Sequence, residues 1–186
     1  MSLYKKIFKQ KPKTKVDTEK ELTDFLSNVY LFKNLSNTDI RNLQNYIHKR
    51  EYKQDEKIFK KGYPNIVMYI VKEGKLLRYL DYDKAKEEGV EIEAGHFFGV
   101  IGLFIDEKRT STVIATKPSV LLAISKRDIK NFIAEYPKAG AKILYKIGKI
   151  LSNDIVDANE QIVELEEENI NLKEKVEDIK SEEDNG

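Results

Sequence analysis

The chain has 186 residues, 33 Lys and Arg against 32 Asp and Glu for a formal net charge of +1, and no cysteine. This length admits one sizeable core plus an appendage, while the missing cysteines exclude disulfides, thiolate metal sites and cysteine nucleophiles. No apolar run approaches the roughly 18 residues a membrane-spanning helix needs, and the lysine-rich start lacks the apolar stretch of a secretory signal, so a cytoplasmic location is expected.

The balanced total conceals an asymmetry. Lys5, Lys6, Lys9, Lys11, Lys13 and Lys15 precede the first acid, Asp17, whereas residues 160–184 are dominated by Glu and Asp. Such polarity fits an interaction tail at either end or a solvated, frayed terminus, and the second is the simpler reading. After the basic lead (residues 1–20), Leu22, Phe25, Leu26 and Val29 recur at helical spacing and Leu31-Phe32 closes that apolar face. Ser36, with Asp39 three residues later, predicts a capping box opening a second helix that carries Ile40, Leu43 and Ile47.

From His48 the pattern changes to short β-type segments: Lys57–Phe59, Val67–Val71, Lys75–Leu80, Val90–Ile92, Val113–Ala115 and Val120–Ile124. Turn signals separate them at Lys61-Gly62-Tyr63-Pro64, Glu73-Gly74, Glu88-Gly89 and Ala94-Gly95, spacing that suggests a small jelly roll. The charged stretch 81–88 is expected to be a solvent-facing hairpin tip.

Residues 95–115 read G-H-F-F-G-V-I-G-L-F-I-D-E-K-R-T-S-T-V-I-A. Gly95, Gly99 and Gly102 let the backbone turn sharply and approach a bound group. A short helical turn is expected there, with Ile101, Leu103 and Phe104 as its apolar underside and N–H groups near Gly99 and Val100 favouring an anion. Arg109 follows, with Thr110 and Ser111 as hydroxyl donors beside it. It is either a surface arginine paired with Asp106 or Glu107 or, by its planar fork of donors, an oxyanion contact.

Ser125 with Asp128 predicts a third capped helix, burying Ile129, Phe132 and Ile133, and Pro137 begins a fourth. That last pattern keeps a seven-residue repeat. Leu144, Leu151, Ala158, Leu165, Leu172 and Ile179 fall at one position, d, and Gly148, Ile155, Ile162, Asn169 and Val176 at the other, a. β-Branched residues at a, Leu at d and one Asn at a favour a parallel two-stranded coiled coil, so Leu151, Ile155, Ile162, Leu165, Asn169, Leu172 and Val176 are expected at a homodimer interface.

These residues resemble the cyclic-nucleotide-binding domain family of catabolite activator proteins, kinase regulatory subunits and gated channels. The family's phosphate-binding cassette runs approximately F-G-E-[LI]-[AG]-L-[LF], a loop, then R-[ATS]-[AS]-[TS]-V. Phe98, Gly99, Ile101, Gly102, Leu103 and Phe104 match the first half; Arg109, Thr110, Ser111, Thr112 and Val113 match the second. The helical entry L-F-K-N-L-S-N-T-D-I and the hairpin Y-I-V-K-E-G-K-L are similar too, and the resemblance covers about residues 30–152. It implies an α+β fold, an antiparallel β-roll of jelly-roll type flanked by helices with a long C-terminal coiled-coil helix. It also implies a ligand site at Gly99, Val100, Ile101, Gly102, Arg109, Thr110 and Ser111. One departure stands out: the family's glutamate, which accepts from the ribose hydroxyl, is Val100 here, so the phosphate half is kept and the sugar half lost. Base reading, in the family a task of the long helix, falls near Ser152 and Asn153.

Other classes find little support. His48 and His96 are too few for a zinc site, and the chain holds no G-x-S-x-G, P-loop or H-E-x-x-H motif, so no metal or catalytic residue is expected. Regulators of the family carry a helix-turn-helix after the long helix; here the chain continues through Glu164, Glu166, Glu167 and Glu168, a surface that repels phosphates, so no specific nucleic acid is expected. The sequence therefore predicts a domain over residues 21–136, a dimeric helix over 137–180 and an acidic tail over 181–186. As a regulatory module it binds a cyclic nucleotide or another phosphorylated ligand without a permanent cofactor and engages a protein partner. The competing reading is an interaction protein with a decayed pocket.

Overall fold

The computed structural model describes residues 15–80 and 89–183. Residues 1–14 of the lysine-rich lead, the tip at 81–88 and the end of the acidic tail lie outside the described residues, while residues 15–20 of that lead are already helical. The chain forms two compact units that divide between Ile143 and Leu144.

In the first unit, α1 (Lys15–Asn28) leads through a 3-10 turn at Tyr30–Phe32 to α2 (Asn37–Gln44). The expected capping box is present: Asp39 N–H donates to Ser36 Oγ at 3.1 Å and the Asp39 carboxylate accepts from the Ser36 N–H at 3.2 Å. Leu26, Phe32, Ile40 and Leu43 are fully buried, as the helical spacing requires.

Eight strands follow: β1 (His48–Tyr52), β2 (Lys57–Phe59), β3 (Val67–Glu73), β4 (Lys75–Tyr79), β5 (Val90–Glu93), β6 (Phe97–Phe98), β7 (Thr112–Ala115) and β8 (Ser119–Ser125). They pair antiparallel in two four-stranded sheets, ordered β1-β8-β3-β6 and β2-β7-β4-β5. Ile58, Val71, Leu76, Ile92, Phe98, Val113, Ala115 and Leu121, drawn from both sheets, form one buried cluster. This is the sandwich of inward-facing residues that two packed sheets demand.

Two strands were not expected. β1 reads His-Lys-Arg-Glu-Tyr, with its first four residues exposed, and lies at a sheet edge against β8. β6 is a two-residue strand inside the glycine-rich run, held by Tyr69↔Phe98 and Ile70↔Phe97 pairing with β3. The glycine between β3 and β4, Gly74, has φ +97° and stands so close to Ser119 that a Cβ would meet its Oγ at 2.2 Å, so both conformation and packing require glycine there.

Ser125 caps α3 (Lys126–Glu135), with Asp128 N–H donating to Ser125 Oγ at 3.0 Å and Ser125 Oγ–H to the Asp128 carboxylate at 2.6 Å. His48 Nε2 lies 3.1 Å from the same carboxylate, so the start of β1 is fastened to the start of α3. Pro137 opens α4 (Pro137–Glu183). In the second unit α4 carries Ile155, Ile162, Leu165 and Leu172 at 52–63% exposure, with Leu151 half-buried and Asn169 exposed. Val156, Val163 and Ile170, each one residue beyond an a position, are exposed as well. The side chain of Val176 lies outside the described residues. Among the described residues no helix is long and apolar enough to cross a membrane.

Candidate functional site

A 3-10 turn at Val100–Leu103 follows β6, and Gly99 stands at its N-terminus with φ +81°. The turn is where the sequence places it, but its underside is not: Val100, Gly102 and Leu103 are buried, while Ile101 and Phe104 are 48% and 46% exposed. Ile101 and Phe104 are three residues apart, so in a 3-10 turn they stand on one face, and that face is the outward one. Both cassette glycines are needed for packing. A Cβ on Gly99 would come within 2.4 Å of Arg109 Nη1, and one on Gly102 within 2.0 Å of the Asn65 carbonyl oxygen.

Arg109 is 5% exposed. Its backbone is clamped to the loop before β3: Arg109 N–H donates to the Tyr63 carbonyl at 2.8 Å, and the Gly62 N–H donates to the Arg109 carbonyl at 2.8 Å. Asp106 is engaged with Lys126 at 2.6 Å and does not neutralise it. The guanidinium instead donates from Nη2 to the Val67 carbonyl at 2.6 Å and lies over the Phe59 ring, with Cζ 3.9 Å from the ring centroid. Nε and Nη1 are buried with no hydrogen-bond partner among the described residues.

Aromatic side chains of both sheets surround this cation. Phe59 of β2 meets Tyr69 of β3 and Phe98 of β6 at centroid separations of 6.2 and 5.8 Å, and Tyr69 stacks on Phe98 at 5.5 Å. Ring faces carry negative charge density, so the stack partly compensates the charge that burial strips of water. Burial pushes the guanidinium below its ordinary value, and the Tyr69 and Tyr52 hydroxyls act in the opposite sense. An arginine nevertheless stays protonated at any physiological pH.

The other expected site residues divide. Ser111 is buried and Thr110 exposed, while the Thr112 hydroxyl accepts from the Lys61 N–H at 3.1 Å. Val100, at 9% exposure, places an apolar group where an acceptor was absent from the sequence. Ser152 and Asn153 are exposed on α4 in the second unit, and Ser152 Oγ–H donates to the Gly148 carbonyl at 2.8 Å. Phe98 belongs to the cassette match, but sequence reading missed Phe59, Tyr69 and Asn65; the available signal was that Phe59 and Tyr69 sit in expected strands on either side of the Lys61-Gly62-Tyr63-Pro64 turn.

The double-sheeted antiparallel roll thus brings together a glycine turn and, after it, an arginine whose guanidinium is buried and partly unpaired. Residues 49–136 match the family model of the cyclic nucleotide-binding domain, and this part of the chain belongs to that family. Relatives include the cAMP-dependent protein kinase type II regulatory subunit of Drosophila melanogaster, 28% identical over 76% of this chain and 35% of its own length. The cyclic nucleotide-gated channel alpha-4 of Mus musculus is 30% identical over 67% of this chain and 24% of its own. The chain thus spans about a third of the first and a quarter of the second. Among solved structures, the catabolite activator protein of Thermus thermophilus superposes with a TM-score of 0.66 at 22% identity, over 73% of this chain and 62% of that one.

Two glycines separate strain from contact at this site. Gly95 and Gly99 have nearly the same φ, +87° and +81°, but a Cβ at Gly95 meets nothing within 4 Å. Gly95→Ala should lose about 1–2 kcal/mol in urea unfolding, the cost of a left-handed alanine. Gly99→Ala should lose clearly more, since it must also displace the guanidinium; equal losses would show that Arg109 is not packed on this glycine.

Proposed function

We propose that the chain is a cytoplasmic regulatory module that binds a small phosphorylated ligand at Arg109, with a specificity altered from that of cyclic-nucleotide sensors, and that signals as a dimer through α4. The observation that carries the ligand reading is the buried Arg109 with Nε and Nη1 unpartnered. A buried donor without an acceptor costs about 1–3 kcal/mol, and an anion on N–H groups of these open nitrogens offsets that cost with charge-assisted bonds. The names of the relatives point to cyclic nucleotides. Val100 argues for a different or weaker ligand, because a ribose hydroxyl facing it finds no acceptor. A second reading has its own support: Arg109 donates to the Val67 carbonyl and stacks on Phe59, as it would in an interaction protein whose pocket has become core.

The proposed domain division is a ligand unit over residues 21–136 and a dimerising helix over 137–180. Four large apolar residues at a and d exposed by half or more are what an unpaired strand of a coiled coil presents. Asn169, exposed in their midst, would fix a parallel register. Glu168 and Lys173 attract across such a pair. Signalling then runs from the roll to whatever protein the paired helices engage, and the acidic face of α4 argues against nucleic acid in that role.

Titration calorimetry with cyclic AMP and cyclic GMP tests the ligand reading. Wild type should bind weakly or not at all, and Val100→Glu should gain roughly ten- to a hundredfold. Arg109→Ala should abolish whatever binding is present. Tight binding by wild type would show that the valine is no obstacle, and indifference to Arg109→Ala would favour the decayed pocket.

Analytical ultracentrifugation at micromolar concentration tests assembly. A dimer is expected, weakened by removing residues after Asp157, and Asn169→Leu should make the oligomeric state less unique rather than less stable. A monomer would rule out the coiled coil.

A further inference from the structure

Asn65 lies in the loop before β3, between Pro64, which bridges to Lys108, and Ile66, whose carbonyl accepts from the Lys126 N–H. It is 7% exposed, and its Oδ1 is buried with no hydrogen-bond partner. Asparagine fits there because position 102 is glycine: a Cβ on Gly102 would stand 2.4 Å from both Cγ and Oδ1 of Asn65. Gly99, three residues earlier, does the same for Arg109 Nη1. The same cassette turn therefore packs against two buried polar side chains, one a guanidinium with two unpaired N–H donors, the other an amide with an unpaired acceptor.

Buried polar groups are rarely left unpaired, and each exception calls for a reason. A fully deprotonated oxyanion answers half of this one: it accepts from the guanidinium and offers nothing to an amide oxygen. An oxyanion that keeps a hydroxyl of its own answers both, accepting from Arg109 and donating to Asn65. Near neutral pH hydrogen phosphate has such an O–H and sulfate has none, though the two are alike in size and geometry.

We propose that Asn65 is a specificity-determining residue of the cassette, whose Oδ1 accepts a hydrogen bond from the hydroxyl of a hydroxyl-bearing oxyanion held by Arg109. The assignment rests on Arg109 as the anion holder. It supplies, beside Gly102, an acceptor that Val100 cannot supply. It also identifies the chemistry selected, an anionic group with a protonated oxygen in place of a cyclic phosphodiester, in which no phosphate oxygen carries a proton.

Titration calorimetry of the full chain with sodium phosphate and with sodium sulfate, at matched ionic strength, tests it. Wild type should prefer phosphate by roughly tenfold or more, the span of one well-made hydrogen bond. Asn65→Leu, which keeps the shape of the amide without its acceptor, should erase the preference by weakening phosphate and leaving sulfate within about threefold. Asn65→Ala gives the same readout if the leucine variant melts early. Arg109→Ala should lose both anions. Equal affinity of wild type for the two anions, or a preference that survives at Asn65→Leu or Asn65→Ala, overturns the role of Asn65 while Arg109 stands. No binding of either anion to wild type, or binding that Arg109→Ala leaves unchanged, overturns the anion site and this inference with it.

Discussion

The structure of the roll around the cassette depends on one unusual burial: a guanidinium that is 5% exposed, carries a full charge and has no carboxylate hydrogen-bonded to it among the described residues. Water would solvate that charge far better than a protein interior, so the surroundings must supply what water does not. Three features do so in part. The Val67 carbonyl takes one N–H at 2.6 Å, the Phe59 face takes the flat of the ion at 3.9 Å, and Tyr69 lies 5.8 Å off. What they leave is two nitrogens, Nε and Nη1, without a hydrogen-bond partner among the described residues, and the proposed anion site rests on them.

The glycines, the aromatics and the loop before β3 follow from that burial. Gly99 yields the volume that Nη1 occupies, and its left-handed φ aims the chain from β6 into the 3-10 turn. Phe59 and Tyr69 come from different sheets, so the cation stands where the two layers meet. The backbone exchange between Gly62, Tyr63 and Arg109 fixes the loop that carries Asn65. A ligand that draws the guanidinium outward would therefore release its hold on Val67 and Phe59 together, a change in two sheets from one contact.

Much of this was legible in the sequence where the physics is local. Ser36 with Asp39 and Ser125 with Asp128 announce their helices because a capping box needs only four residues. Strands β2 to β5, β7 and β8 announce themselves because turn residues bound apolar runs. β1 did not, because an edge strand with four exposed residues in succession has no alternation to read. β6 is too short to carry a period. Arg109 was recognisable as a candidate by its spacing from Phe98-Gly99, but neither its burial nor its aromatic bed could be read, since these depend on strands from two sheets meeting. Ile101 and Phe104 look like core residues by composition, but three residues apart they share one face of the turn, and packing buries Leu103 and Val100 instead. On α4 the a and d positions were legible by period, whereas the neighbouring stripe of Val156, Val163 and Ile170 falls outside the heptad rule.

The most direct measurement is NMR of the arginine Nε–H groups, recorded in phosphate-free buffer and then across a titration with inorganic phosphate. Arg109 is identified by the loss of its signal in Arg109→Lys. A saturable downfield shift of the Arg109 Nε–H, with slower exchange against solvent, is the expected result, because an oxyanion then occupies a donor the protein leaves unpaired. A resonance that stays in place throughout, while the fold is intact, contradicts the buried arginine as an anion site.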